Sequence, residues 1–144
     1  MLDRLAGNEA MKQHLQAALA GGKLAHSLLL CGEKGCGAGF AARCLAADYL
    51  YPQGGPAAEA VLAGQAPECL EVRGEGASGQ IRIERIRQVR EEVFHSALSA
   101  QGRVVLLYGA QNLNSASANA LLKVLEEPPE GVLFLLTASS PAAV

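Results

Sequence analysis

The chain has 144 residues, 50% of them hydrophobic and 18% charged, with a formal net charge of −2. That length suits one domain around a single core, and the charge balance excludes a global attraction to nucleic acid or to an anionic membrane, so any DNA contact must come from a local patch or from partner chains. No apolar stretch approaches the roughly 20 residues that a membrane-spanning helix needs, and Met1-Leu2-Asp3-Arg4-Leu5 lacks the apolar centre of a secretory signal. A cytoplasmic location, with no membrane partner, is the expectation.

In chain order, Leu5, Met11, Leu15, Ala18 and Leu19 recur at roughly helical spacing over residues 2–20, and Gly21-Gly22 stops that helix. Residues 26–31 (HSLLLC) are too short for a helix and read as a buried strand feeding Gly32. The Ala- and Leu-rich stretch 38–51 predicts a helix ended by Pro52. Residues 52–67 are rich in Gly, Pro and Ala, with room for one short helix near 57–63. A short strand at 68–72 and a glycine-rich loop at 73–80 follow, and the parts from Pro52 to Gln80 read together as a surface excursion between two strands. From Ile81 the series Ile83, Ile86, Val89 or Arg90, Val93 and Ala97 predicts an amphipathic helix, with Arg87 and Glu91 spaced to pair. The run RVVLLY (103–108) is a largely apolar strand, residues 115–127 a helix closed by Pro128-Pro129, and VLFLLT (132–137) a last buried strand. Apolar strands alternating with helices predict an α/β fold, a parallel sheet with helices on both faces.

The turn after the first strand reads Gly32-Glu33-Lys34-Gly35-Cys36-Gly37-Ala38-Gly39. A phosphate-binding loop has the form G-x-x-x-x-G-K-[ST], in which backbone N–H groups cradle phosphates, Lys reaches the terminal phosphates and the hydroxyl residue holds Mg²⁺. Gly32 and Gly37 keep this spacing, but Ala38 stands in the Lys position and Gly39 in the hydroxyl position. One reading is a plain strand-to-helix turn. The favoured one is a vestigial loop without tight nucleotide binding, because the charge-assisted contacts are gone, although its free N–H groups can still take an anion or phosphate weakly. Lys34 precedes Gly37 by three positions, before the helix begins, and its ammonium is expected in solvent rather than on a phosphate.

Cys31, Cys36, Cys44 and Cys69 form no CxxC, and His14, His26 and His95 are scattered, so buried reduced thiols are expected and no zinc. Arg82, Arg85, Arg87 and Arg90 are interleaved with Glu84, Glu91 and Glu92, the pattern of a solvated, salt-bridged helix face. In the helix 115–127, spacing assigns Leu121, Leu122 and Leu125 to the core and Lys123, Glu126 and Glu127 to the surface.

The strand and glycine loop, the run Asn119-Ala120-Leu121-Leu122-Lys123-Val124-Leu125-Glu126-Glu127-Pro128-Pro129 and the strand Phe134-Leu135-Leu136-Thr137 together resemble the AAA+ module of bacterial clamp-loader subunits. That resemblance covers most of the chain and implies a three-layer P-loop NTPase-like sheet. Motor subunits of the family, gamma and tau, place acidic Walker B residues directly after the third strand for Mg²⁺ and the attacking water. Here that place reads Gly109-Ala110-Gln111-Asn112, a vestigial Walker B without Asp or Glu. The two losses together resemble the non-hydrolysing delta-prime type, which serves the DNA polymerase III holoenzyme in DNA replication. The resemblance implies no catalytic residues and no cofactor, and as partners gamma/tau and delta type subunits, with the sliding clamp and primer-template DNA met through the assembled complex. Thr137 falls where related ATPases carry a sensor of the γ-phosphate, and without an active loop it is expected to serve local backbone at the strand end. The family's arginine-finger Ser-Arg-Cys motif, a further strand beside the loop strand, and helical lid and collar domains are expected beyond Val144, so residues 1–144 are read as one truncated domain with an open sheet edge. The alternative is a motor-type ATPase binding nucleotide through backbone contacts alone.

Overall fold

A computed structural model describes residues 9–21, 27–31, 38–74, 79–95, 102–127 and 131–138. Its elements run α1 (Glu9–Ala20), β1 (Ser27–Cys31), α2 (Ala38–Leu50), α3 (Pro56–Leu62), β2 (Cys69–Val72), α4 (Ile83–His95), β3 (Arg103–Tyr108), α5 (Ser115–Glu126) and β4 (Val132–Ala138), with a 3-10 turn at Ala110–Asn112. The order of strands is β1-β4-β3-β2 and every pairing is parallel. Val105 lies opposite Phe134, and Leu29 opposite Leu136, which fixes the register of the central pairing of β3 with β4 and of the edge pairing of β1 with β4.

Side chains alternate across a strand, and the two faces of this sheet have separate cores. Val104, Leu106, Leu133 and Leu135 pack with Leu45, Leu50 and Val61 on one face. Val105, Leu107, Phe134 and Leu136 pack with Ile86, Val89, Val93, Leu121 and Val124 on the other. The first face is covered by α1, α2 and α3 and the second by α4 and α5, the α/β three-layer arrangement expected. Helix α2 buries Ala41, Ala42, Ala46 and Ala47 beside Cys44, Leu45 and Leu50, so small side chains let its backbone approach the sheet. At the opposite end of the strands from the glycine loop, Gly102 has φ +98°, and a Cβ there would stand 2.6 Å from the Gly131 carbonyl oxygen. Only glycine permits that approach.

Three expectations need correction. The part of 52–80 from Ala58 to Val72 is not a surface excursion: β2 is an integral strand paired with β3, and Ala58, Val61 and Ala66 lie in the core, while residues 75–78 lie outside the described residues. The cause is compositional, since alanines that read as loop filler bury as well as valines where a helix is seated closely. On α5, Leu122 is 54% exposed, and Val124 takes the core position beside Leu121 while Leu125 is half-buried. The buried stripe follows Ser117, Leu121 and Val124, so the direction of the helix face outweighs the hydrophobicity of a single leucine. Cys31 is exposed whereas Cys44 and Cys69 are buried, because β1 ends at the sheet edge with β4 as its one neighbour among the described residues.

The first helix begins at Glu9 within the described residues, and its expected start near Leu2 lies outside them, as do Pro128-Pro129 after α5. Among the described residues no helix is long and apolar enough to cross a membrane.

Candidate functional site at the carboxyl ends of the strands

In a parallel sheet, loops that leave the carboxyl ends of the strands form the usual ligand crevice. Here that edge carries Cys31, Val72, Tyr108 and Ala138, followed by the first turn of α2. Of the glycine loop, Gly32, Glu33, Lys34, Gly35, Cys36 and Gly37 lie outside the described residues, while Ala38 and Gly39 open α2.

The segment after β3 is a tight turn. Gly109 has φ 81° and ψ 61°, a left-handed conformation, and a Cβ on it would meet the Asn112 side-chain nitrogen at 2.8 Å. A side chain at 109 is therefore disfavoured both by backbone and by space. Asn112 N–H donates to the Gly109 carbonyl at 2.8 Å, and Ile81 N–H donates to the Asn112 carbonyl at 3.0 Å. Ala110 is buried, and Gln111 and Asn112 are exposed. Gly109 to Asn112 thus serve the path from β3 to α5, and Asn114 then caps that helix by accepting from Ser117 N–H at 2.8 Å.

Thr137, near the end of β4, reaches across to this turn. Gly109 N–H donates to Thr137 Oγ1 at 3.1 Å and to the Thr137 carbonyl at 3.0 Å. The hydroxyl thus accepts from the backbone N–H of the residue that follows β3.

A polar cluster on the α2 side of this edge went unrecognised in the sequence. Arg43 Nη2 donates to both Glu71 carboxylate oxygens, at 2.9 and 3.2 Å, its Nε donates to the Tyr108 hydroxyl at 3.1 Å, and its Nη1 donates to the Leu62 carbonyl at 3.3 Å. Arg73 Nη2 lies 3.1 Å from Glu71 Oε1, and its guanidinium stands 4.1 Å from the Tyr108 ring centroid, within cation–π range. Arg85 Nη2 donates to the Glu71 carbonyl at 3.3 Å. One carboxylate is therefore shared by two guanidiniums, with a tyrosine closing the group.

Burial alone would raise the Glu71 carboxyl, but hydrogen bonds with Arg43 and Tyr108 and the nearby charges of Arg43 and Arg73 outweigh it and hold it below the usual range. The Glu71 hydrogen bond raises the Arg43 guanidinium against the effect of burial. Burial, assisted by the Glu71 charge, pushes the Tyr108 phenol up to about 12, although the hydrogen bond to Arg43 pulls it down. Three signals for this cluster stood in the sequence: Arg43 is a charge inside an Ala- and Leu-rich helix, Glu71 is a charge inside the short strand CLEV, and Tyr108 puts a hydroxyl at the end of an apolar strand. A charge inside an apolar element needs a partner.

The arginines of α4 are not gathered into one site. Arg82, Arg87 and Arg90 are exposed, Arg90 lies 5.5 Å from the Phe94 ring centroid, and Glu92 approaches Arg103 of β3 at 3.9 Å. Among the described residues no three or more of His, Cys, Asp and Glu converge on a common centre.

A family model described as DNA polymerase III, delta subunit, matches residues 7–144. The chain belongs to that family. Curated relatives include subunit gamma/tau of Mycobacterium tuberculosis (strain ATCC 25618 / H37Rv), 31% identical over 148 residues that cover 97% of this chain and 25% of the relative. Subunit delta' of Yersinia pestis is 39% identical over 84 residues, 58% of this chain and 25% of the relative. Subunit delta' of Haemophilus influenzae is 42% identical over 64 residues, 44% of this chain and 20% of the relative. This member of the delta subunit family thus spans about a quarter of the length of such relatives. A solved gamma subunit-related protein from Thermotoga maritima superposes with a TM-score of 0.62 at 21% identity, covering 90% of this chain and 40% of that one. It supports the fold.

Proposed function

We propose that residues 1–144 are the AAA+ nucleotide-binding-like domain of a non-hydrolysing, delta-prime type clamp-loader subunit that helps to load the sliding clamp onto DNA during replication. Its partners are gamma/tau and delta type subunits, and it meets the clamp and primer-template DNA through the assembled complex. It works in the cytoplasm by protein contacts, without nucleotide or zinc as cofactor. The observation that carries this reading is the end of β3, where Tyr108 is hydrogen-bonded to Arg43 and Gly109 takes a left-handed turn. Phosphoryl transfer needs an acid there for Mg²⁺ and the attacking water, and neither residue has one. The positions Ala38 and Gly39 support the same reading, since they offer neither ammonium nor hydroxyl to a phosphate or a metal.

A motor-type ATPase of the gamma/tau kind is the second reading. It is favoured by the gamma/tau relatives, whose alignments extend over nearly the whole chain whereas those to delta' extend over about half. Titration calorimetry with Mg-ATP separates the two. The non-hydrolysing reading expects no heat of binding in the micromolar range and no phosphate release by this chain, and either signal sinks it.

A further inference from the structure

A P-loop NTPase sets its Mg²⁺ between the hydroxyl that follows the loop lysine and an acid at the end of a neighbouring strand. In this chain the hydroxyl position is Gly39, and the side chain that approaches it from the neighbouring strand end is an aromatic ring. A Cβ on Gly39 would lie 3.4 Å from Tyr108 Cε1 and 3.7 Å from Cδ1. Those distances are van der Waals contact for the Cβ itself. An oxygen or methyl group carried on that Cβ toward the ring would come closer than van der Waals contact, and an ion on the same side would meet the ring instead of a carboxylate.

The ring is held there. Its hydroxyl accepts from Arg43 Nε, Arg43 is fixed by Glu71 and by the Leu62 carbonyl, and Arg73 lies over the ring face. The charges that a metal would meet are also of the wrong sign: two guanidiniums stand at the ring, and the one carboxylate of the cluster, Glu71, is bound by both of them. The residues present do not fit Mg²⁺.

We infer that Gly39 and Tyr108 form a matched steric pair, in which the pinned ring permanently fills the space that a P-loop hydroxyl and its Mg²⁺ require. This rests on the non-hydrolysing reading above and gives it a physical device. The site is plugged from within, and its glycine is the complement of the plug. Restoring a hydroxyl at 39 therefore costs stability while the ring remains.

The test is a thermal denaturation cycle on the chain without nucleotide. In open space Gly39→Thr in the first turn of a helix is neutral or stabilising, because glycine is the poorer helix former. The matched pair predicts a Tm lowered by about 3 °C or more for Gly39→Thr, an equal loss in a Tyr108→Phe background, where the ring stays, and little or no loss in a Tyr108→Ala background. A Gly39→Thr chain as stable as the parent overturns the inference, and so does a loss of equal size with and without the ring. Should Tyr108→Ala fail to fold, the comparison of Gly39→Ala, expected to match or exceed the parent, with Gly39→Thr decides alone: equal stabilities overturn the pair. ATP turnover by the parent together with a coupled cycle overturns both the non-hydrolysing reading and the exclusion of Mg²⁺, and leaves only the steric contact of ring and glycine; absence of turnover with an uncoupled cycle removes the plug and leaves the reading.

Discussion

Arg43 ties three elements together, through Glu71 on β2, Tyr108 on β3 and the last turn of α3. Its side chain is a quarter exposed and that of Glu71 less so, so water screens the pair only in part. Arg43→Met keeps the stem and removes the donors; it is expected to lower the unfolding free energy by roughly 1–2 kcal/mol, read from urea denaturation. The Glu71 carboxyl is held below its ordinary value of 4.5, so its stabilisation is present above that value and is lost as pH falls through the lower, folded-state one. Glu71→Gln should therefore destabilise the chain at neutral pH and flatten the acid limb of its Tm-against-pH curve. An unchanged acid limb counts against the pairing. Ala38 and Gly39 stand out in the sequence because each is a single-letter departure from the spaced G-x-x-x-x-G-K-[ST] pattern. The sequence did not reveal the cluster, since Arg43, Glu71 and Tyr108 meet only once α2, β2 and β3 are placed.

The strands and helices were legible because their signals are redundant. RVVLLY is a largely apolar run, and its bounds match β3; VLFLLT matches β4 to within one residue. Helix α5 shows where such signals stop. Leu121, Leu122 and Leu125 are equally apolar letters, yet packing against β3 and β4 selects Leu121 and Val124. Truncation separates them: Leu121→Ala should cost about 2–5 kcal/mol, whereas Leu122→Ala should stay within about 0.5 kcal/mol. Comparable losses at both positions overturn this assignment of the helix face. Alanine was the least informative letter, which is why the segment around α3 was misjudged although its helix was expected.

Across the whole molecule, the class of fold followed from alternation alone, while the order β1-β4-β3-β2 needed the structure. That order places β3 and β4 in the middle, each paired on two sides and covered on both faces. Native-state hydrogen exchange should then be slowest for the amides of Val104 to Leu107 and Leu133 to Leu136, and faster for Leu28 to Leu30 at the edge. Equal protection of β1 and β4 would require another strand along β1. The alanine-lined face of α2 has a further consequence. A helix seated on methyl groups has its height above the sheet set by the backbone itself, so a larger residue at Ala46 or Ala47 acts as a shim: it lifts the whole rod, and the first turn bearing Ala38 and Gly39 moves with it.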